Sequence, residues 1–143
     1  MCGSMTNYGK MVCIRDELAS YGHEVFIPEP ALCKHLDQIN SGNYVDTSKI
    51  KIKYDYIRGH CGNIIKSDCI LVANYDKNGV LNYVGGNTFL EIGFAFIIGR
   101  KIYLVNPIPL IEYYFQEIKA MKPTVLHGNF SVFFKKVSKL KQK

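Results

Sequence analysis

The sequence lacks the cysteine patterns of a disulfide framework or a zinc site. Its five cysteines are odd in number and include no C-x-x-C pair. They stand at Cys2, Cys13, Cys33, Cys61 and Cys69. We therefore predict reduced thiols, a cytoplasmic location and no metal.

Long apolar runs are also missing. The longest apolar stretch, around residues 89 to 98, is short and contains the charge of Glu91. We therefore predict a soluble protein with no membrane partner. The 143 residues, of which 48% are hydrophobic, are enough for one sizeable core, which predicts a single domain over residues 1–143.

Acidic residues are few, since 12 Asp and Glu against 18 Lys and Arg leave a formal net charge of +6. Most of this excess comes from lysines near the C-terminal end, at Lys135, Lys136, Lys139, Lys141 and Lys143. A solvated helix end, whose dipole favours nearby cations, explains these lysines. Because no aromatic or arginine pattern for base stacking accompanies them, a nucleic-acid partner is the less favoured interpretation.

Apolar spacing predicts helices that alternate with short strands. The predicted helices cover 10–21, 49–66 and 110–120, a segment that carries Glu91 and ends at Gly99, and the chain from Phe130 onward. The predicted strands cover 24–28, 69–73, 101–105 and 124–126. Residues 29–45 read as a loop or lid with a short helix near 31–39, and Asp46 or Thr47 is expected to cap the helix over 49–66.

Continuously apolar strands between helices predict an α/β, Rossmann-like (flavodoxin-like) parallel sheet with helices on both faces. In such sheets, ligands bind outside the carboxyl ends of the strands, where the strand order reverses. The loops at this edge carry Gly3-Ser4-Met5, Pro28-Glu29, Asn74 to Asn87 and Asn106-Pro107.

Glu91 is the only charged residue from 78 to 99 and has apolar neighbours on both sides. An ionised carboxylate in such surroundings is costly unless another group binds it. Thr88 and Glu91 have the T-x-x-E spacing of a capping box, which is one explanation. A catalytic role is the other, and the spacing alone leaves both open.

Four segments carry a resemblance to a known family: CGSM at 2–5, SDCILVAN at 67–74, YVGGNTFLEIGFA at 83–95 and GRKIYLV at 99–105. Together they resemble the nucleoside 2-deoxyribosyltransferase family, including its deoxynucleoside-monophosphate N-glycosidase branch. The most specific part is the E-x-G-x-A helix start, formed by Glu91, Gly93 and Ala95 after a glycine-bearing loop.

The resemblance implies a Rossmann-like fold in which Glu91 is the nucleophile that cleaves or transfers an N-glycosidic bond. His60 stands where the family commonly has an aspartate that holds or protonates the leaving base, and Gly85 stands where the transferases often have another aspartate. The implied partners are a small-molecule nucleoside or nucleotide and a second copy of the chain in a homo-oligomer, with no metal or redox cofactor. The implied substrate-binding residues are Gly3, Ser4, Met5, Asn74, Gly85, Gly86, Asn87 and Thr88.

Two other functions stay open: a nucleotide-sensing module in which Glu91 is only structural, and a nucleic-acid-binding protein that uses the lysines. The start of the chain is also unusual, because the family has a central strand before the CGS motif and only Met1 precedes Cys2 here. We therefore expect the first strand to be missing or truncated, with a longer natural protein or poorly ordered residues 1–5.

Overall fold

The computed structural model describes residues 1–28 and 48–138 and contains an all-parallel sheet with helices on both faces. The strands lie side by side in chain order: β1 (Cys2–Gly3), β2 (Cys69–Ala73), β3 (Lys101–Leu104) and β4 (Thr124–Val125). The predicted α/β, Rossmann-like class is confirmed, and the first strand is truncated to two residues. Among the strands of the described residues the order does not reverse, and β1 is an edge.

Six α-helices in the described part of the chain surround this sheet. They are α1 (Tyr8–Ser20), α2 (Ser48–Lys53), α3 (Tyr56–Lys66), α4 (Gly86–Ile97), α5 (Phe115–Ala120) and α6 (Phe130–Ser138). A short 3-10 helix, Met5–Asn7, joins β1 to α1. None of these helices is both long and apolar enough to cross a membrane.

The alternation of side chains along the strands divides the core into two layers. Ile70 and Val72 of β2 pack on the face covered by α3, α4 and α5. Leu71, between them, packs on the opposite face against α1 and α6. Cys2 belongs to the first layer, so β1 presents its thiol towards α3 and α4.

Helices α1 and α4 end just before the predicted glycines, Gly22 and Gly99. Gly22 and Gly99 have φ of 78° and 71°, a left-handed conformation that ends a helix and is cheap only without a Cβ. Tyr21, the last residue of the helix predicted over 10–21, is 62% exposed.

The predicted helix over 49–66 is wrong as one element, because the chain breaks between α2 and α3. Asp55 has φ of 48° and ψ of 40°, a left-handed conformation that cannot continue a right-handed helix. The apolar spacing of the segment spans the break, which is why periodicity alone did not reveal it.

Two other predicted elements differ from the structure. Residues 24–28 form no strand; the Met1 amino group donates a hydrogen bond to the Phe26 carbonyl, and the two-residue β1 offers few other main-chain groups for a ladder. The helix predicted over 110–120 begins only at Phe115, because residues 112–114 form a turn. The lid with its short helix near 31–39, the caps at Asp46 or Thr47, and the last lysines of the tail lie outside the described residues.

Candidate functional site

Three side chains from distant parts of the sequence meet at the edge of the sheet beside β1. They are Cys2 on β1, His60 on α3 and Glu91 on α4, and one ligand atom from each lies within 4.8 Å of the others. His60 Nε2 is 3.7 Å from Cys2 Sγ and 3.6 Å from Glu91 Oε1. The structure thus joins both predicted catalytic residues with a cysteine that the sequence analysis had not assigned to the site.

The packing of α3 against α4 sets this geometry. Ile64 of α3 and Ile92 of α4 are buried in the same layer of the core. Just beyond α4, Arg100 donates a hydrogen bond of 2.7 Å from Nη2 to the Ile65 carbonyl. These contacts hold the helices side by side, so His60 faces Glu91 across their interface.

A cavity of about 530 Å³ opens in front of Glu91 and His60. This volume is in the range of small-molecule sites. Its wall is largely apolar and aromatic, and Tyr54 and Tyr56 stack there with ring centroids 5.4 Å apart. The other lining residues are Ile27, Pro28, Lys51, Ile57, Gly59, Cys61, Asn63, Asn87 and Leu90. A flat, unsaturated ligand fits such a wall, because aromatic side chains stack on planar rings.

Glu91 sits in this site as a poorly solvated carboxyl group. Its side chain is 19% exposed, and Oε2 is buried without a hydrogen-bond partner among the residues that the structure describes. Burial raises its pKa from 4.5 to about 7, and the nearby Cys2 thiol opposes part of that rise. A buried carboxylate oxygen without a partner is costly, which is typical of groups kept for function.

The two neighbours of Glu91 carry no charge at neutral pH. Burial lowers the pKa of His60 from 6.5 to about 4, so the imidazole is neutral. Burial, followed by the nearby Glu91 carboxylate, raises the pKa of the Cys2 thiol well above its usual value. His60 is therefore a poor proton donor at pH 7, contrary to the acid role that its position in the sequence suggested.

Of the two explanations left open for Glu91, the structure excludes the capping box with Thr88. The helix begins earlier, with extended Gly85 as its N-cap and a hydrogen bond of 2.8 Å from the Phe89 amide to the Gly85 carbonyl. Thr88 is therefore the third residue of α4 and is buried, while Glu91 lies in the second turn. The helix dipole is weak at that depth, so it does not keep the carboxylate ionised.

The predicted residues of the first loop, Gly3, Ser4 and Met5, follow Cys2 in the chain and are not among the residues that line the cavity. The missing side chain of Gly3 matters for packing, because a Cβ there would lie 3.1 Å from the Ala73 carbonyl oxygen and 3.2 Å from Met11 Sδ. Met5 begins the 3-10 helix that follows. Lys77, which is not among the predicted site residues, donates a hydrogen bond of 3.1 Å to Ser4 Oγ and brings a positive charge to this loop.

Asn74 has a structural position instead of the substrate-binding position that was predicted. Its amide nitrogen donates to the carbonyls of Asn106 and Pro107, and its oxygen accepts from the Asn106 amide. The side chain is buried and joins the loops after β2 and β3.

The remaining predicted residues lie at the start of α4. Gly85 is close to the ring of Tyr83, whose Cε1 atom would be 3.2 Å from an added Cβ. Gly86 and Asn87 are exposed, and Asn87 lines the cavity one helical turn before Glu91. Of the predicted substrate-binding residues, Asn87 is the one whose side chain shares the cavity with Glu91 and His60.

Comparison of the chain with protein-family models, curated protein sequences and solved structures gives no significant match.

Proposed function

We propose that this protein cleaves or transfers the N-glycosidic bond of a deoxynucleoside or its monophosphate, with Glu91 as the nucleophile. One observation carries the proposal: the carboxyl group of Glu91 lines an aromatic-walled cavity and has an oxygen without a partner in the described chain. The sequence resemblance to the deoxyribosyltransferases supports the same role for this residue. The homo-oligomer that the resemblance implies stays a prediction.

The reaction proceeds in two displacements at the anomeric carbon of the sugar. In the first, a Glu91 oxygen bonds to that carbon, the N-glycosidic bond breaks, and its electron pair leaves with the base, which takes a proton from solvent. In the second, water or another base attacks the same carbon and releases the Glu91 carboxylate. Neutral His60 lies 3.6 Å from the Glu91 carboxyl group and adds no charge beside it.

The cavity contains groups that could bind the base as well as the sugar. Tyr54 and Tyr56 offer ring faces on which a nucleobase can stack, and Asn87 offers an amide that can donate and accept hydrogen bonds. Lys77 beside Ser4 provides a cation for a 5′-phosphate. These groups favour a nucleotide over an unmodified sugar as the substrate.

The test is the release of free base from a panel of deoxynucleosides and their 5′-monophosphates, measured by chromatography with and without an added second base. We expect Glu91→Gln to abolish release, because a neutral amide cannot form the glycosyl ester. The matched control is Glu117→Gln on α5, an exposed site that should keep wild-type turnover. Turnover by Glu91→Gln equal to wild type would exclude Glu91 as the nucleophile.

Nucleotide sensing without catalysis is the second candidate. The raised pKa of Glu91 favours it, because a carboxyl group that keeps its proton near neutral pH can donate a hydrogen bond to a bound base. Titration calorimetry separates the two functions. Tight binding of a nucleotide that is recovered intact after long incubation would favour the sensing module.

A further inference from the structure

The cluster of Cys2, His60 and Glu91 combines the three side-chain types that bind zinc: a thiol, an imidazole and a carboxyl group. Among the residues that the structure describes, this is the one cluster of three or more potential metal ligands. Each member comes from a different element, β1, α3 or α4, so the packed fold sets their spacing. No C-x-x-C or H-x-x-x-H spacing reveals this site in the sequence.

The two distances from His60 Nε2 to the other ligand atoms match those around a tetrahedral zinc ion. With usual metal–ligand bond lengths, sulfur and nitrogen ligands lie about 3.6 Å apart and nitrogen and oxygen ligands about 3.4 Å apart. Here the Sγ–Nε2 and Nε2–Oε1 distances are 3.7 and 3.6 Å. The third pair, Cys2 Sγ and the Glu91 carboxylate, lies within 4.8 Å, against about 3.6 Å around a tetrahedral ion, so the Glu91 side chain would move towards Cys2 on binding.

The protein atoms satisfy this cluster only in part, because Cys2 Sγ and His60 Nε2 share a hydrogen bond of 3.7 Å while Glu91 is left with an oxygen that has no partner among the described residues. The contact between His60 Nε2 and Glu91 Oε1 is too long for a hydrogen bond, and Glu91 Oε2 is buried without a partner in the described chain. A bound cation would compensate for the desolvation of this carboxylate. The cavity that Glu91 and His60 line gives an ion a route to the site.

We propose that Cys2 Sγ, His60 Nε2 and the Glu91 carboxylate bind one Zn²⁺ ion whose fourth position faces the cavity. Three protein ligands with an open position are typical of zinc sites that exchange a ligand, whereas structural sites have four. Binding releases the thiol proton and any proton on Glu91 to solvent, and neutral His60 binds without losing one. A Glu91 that binds zinc is not a free nucleophile, so the zinc-bound form is a different state from the metal-free enzyme proposed above.

The experiment is a titration of the chelator-stripped full chain with Zn²⁺ by calorimetry and with Co²⁺ by absorption spectroscopy. We expect one ion per chain and a thiolate-to-cobalt charge-transfer band. Cys2→Ser should abolish that band, and His60→Gln and Glu91→Gln should each weaken Zn²⁺ binding at least about tenfold. Cys13→Ser on α1, an exposed cysteine outside the cavity lining, is the matched control and should keep wild-type affinity.

Circular dichroism of every variant separates a lost ligand from a lost fold. Because Cys2 is fully buried, Cys2→Ser is the variant most prone to lose the fold. His60 lines the cavity, so His60→Gln tests zinc binding independently of Cys2. Absence of stoichiometric zinc uptake by the folded wild type would overturn the proposal. So would unchanged affinity in folded His60→Gln, or a cobalt band that Cys61→Ser removes and Cys2→Ser leaves. None of these measurements depends on base release.

Discussion

His60 and Glu91 face each other from neighbouring helices with their nearest polar atoms 3.6 Å apart, and burial shifts their pKa values in opposite directions. Glu91 holds its proton more tightly in the folded chain than in the unfolded chain. His60 does the reverse. The pH dependence of stability should therefore separate the two residues.

For Glu91, the folded pKa is raised from 4.5 to about 7, so its stabilising effect is complete below pH 4.5 and is lost as the pH rises through 7. Glu91→Gln cannot ionise and escapes this loss. Relative to wild type, it should gain up to about 3 kcal/mol in free energy of unfolding between pH 4.5 and pH 8. Urea unfolding in the presence of a chelator measures the difference, which Glu117→Gln should not reproduce.

For His60, the folded pKa is lowered from 6.5 to about 4, so its stabilising effect is complete above pH 6.5 and is lost as the pH falls through 4. We expect His60→Gln to resist mild acid better than wild type by up to about 3 kcal/mol at pH 4. Between pH 4.5 and 6.5 the wild-type curve should be nearly flat, because the two residues offset each other. A wild-type slope equal to that of Glu91→Gln in this range would contradict the assignment.

The zinc site predicts an effect on activity as well as on binding. If metal-free protein releases base, one equivalent of Zn²⁺ should stop release because Glu91 then binds the ion. Excess chelator should restore it. Full activity at saturating zinc would mean that Glu91 is not both the zinc ligand and the nucleophile.

Lys77 should determine the preference for a 5′-phosphate. Lys77→Met keeps most of the side-chain stem but removes the charge beside Ser4. We expect KM for a deoxynucleoside monophosphate to rise about tenfold, the effect of one lost hydrogen bond to a charged group, with little change for the nucleoside. Lys101→Met, at the opposite end of the sheet, is the control, and equal losses on both substrates would argue against a phosphate contact.

Asn74 and Asn87 should respond differently to alanine. Asn74→Ala removes three side-chain hydrogen bonds and leaves the Asn106 amide without its acceptor, which should cost roughly 2 to 4 kcal/mol of stability. Asn87→Ala removes an exposed side chain of the cavity wall and should weaken substrate binding with little effect on unfolding. Thermal unfolding and base release, measured on both variants, test this division; a stable Asn74→Ala with poor substrate binding would reverse it.

The sequence predicted the layers of the fold better than the site. Residues 69–73 and 102–105 are continuously apolar because both faces of β2 and β3 are covered, so their burial could be predicted from composition. The start of α4 could not be predicted from local spacing, because the N-cap is Gly85, in an extended conformation, three residues before the T-x-x-E pattern begins. Local spacing there favoured a cap that the backbone does not form.

The role of Cys2 depends on contacts between distant parts of the chain. Its thiol reaches His60, 58 residues away, only because β1 pairs with β2 in a register that sets Cys2 beside Val72. Periodicity describes neighbours along one element and contains no information on that register. The continuously apolar runs of β2 and β3 were the available signal, since a sheet covered on both faces indicates that a strand next to β2 also buries a side chain on the α3 and α4 face.

The left-handed residue Asp55 has a consequence for ligand size. It lies between Tyr54 and Tyr56, so the corner that it makes turns two consecutive aromatic rings into one side of the cavity. An unbroken helix would direct these rings about 200° apart around its axis, on different sides. The room in the cavity is therefore determined by the backbone conformation of one residue. A substitution that forces position 55 into a right-handed conformation should change which ligands fit, although the chemical groups of the cavity wall stay the same.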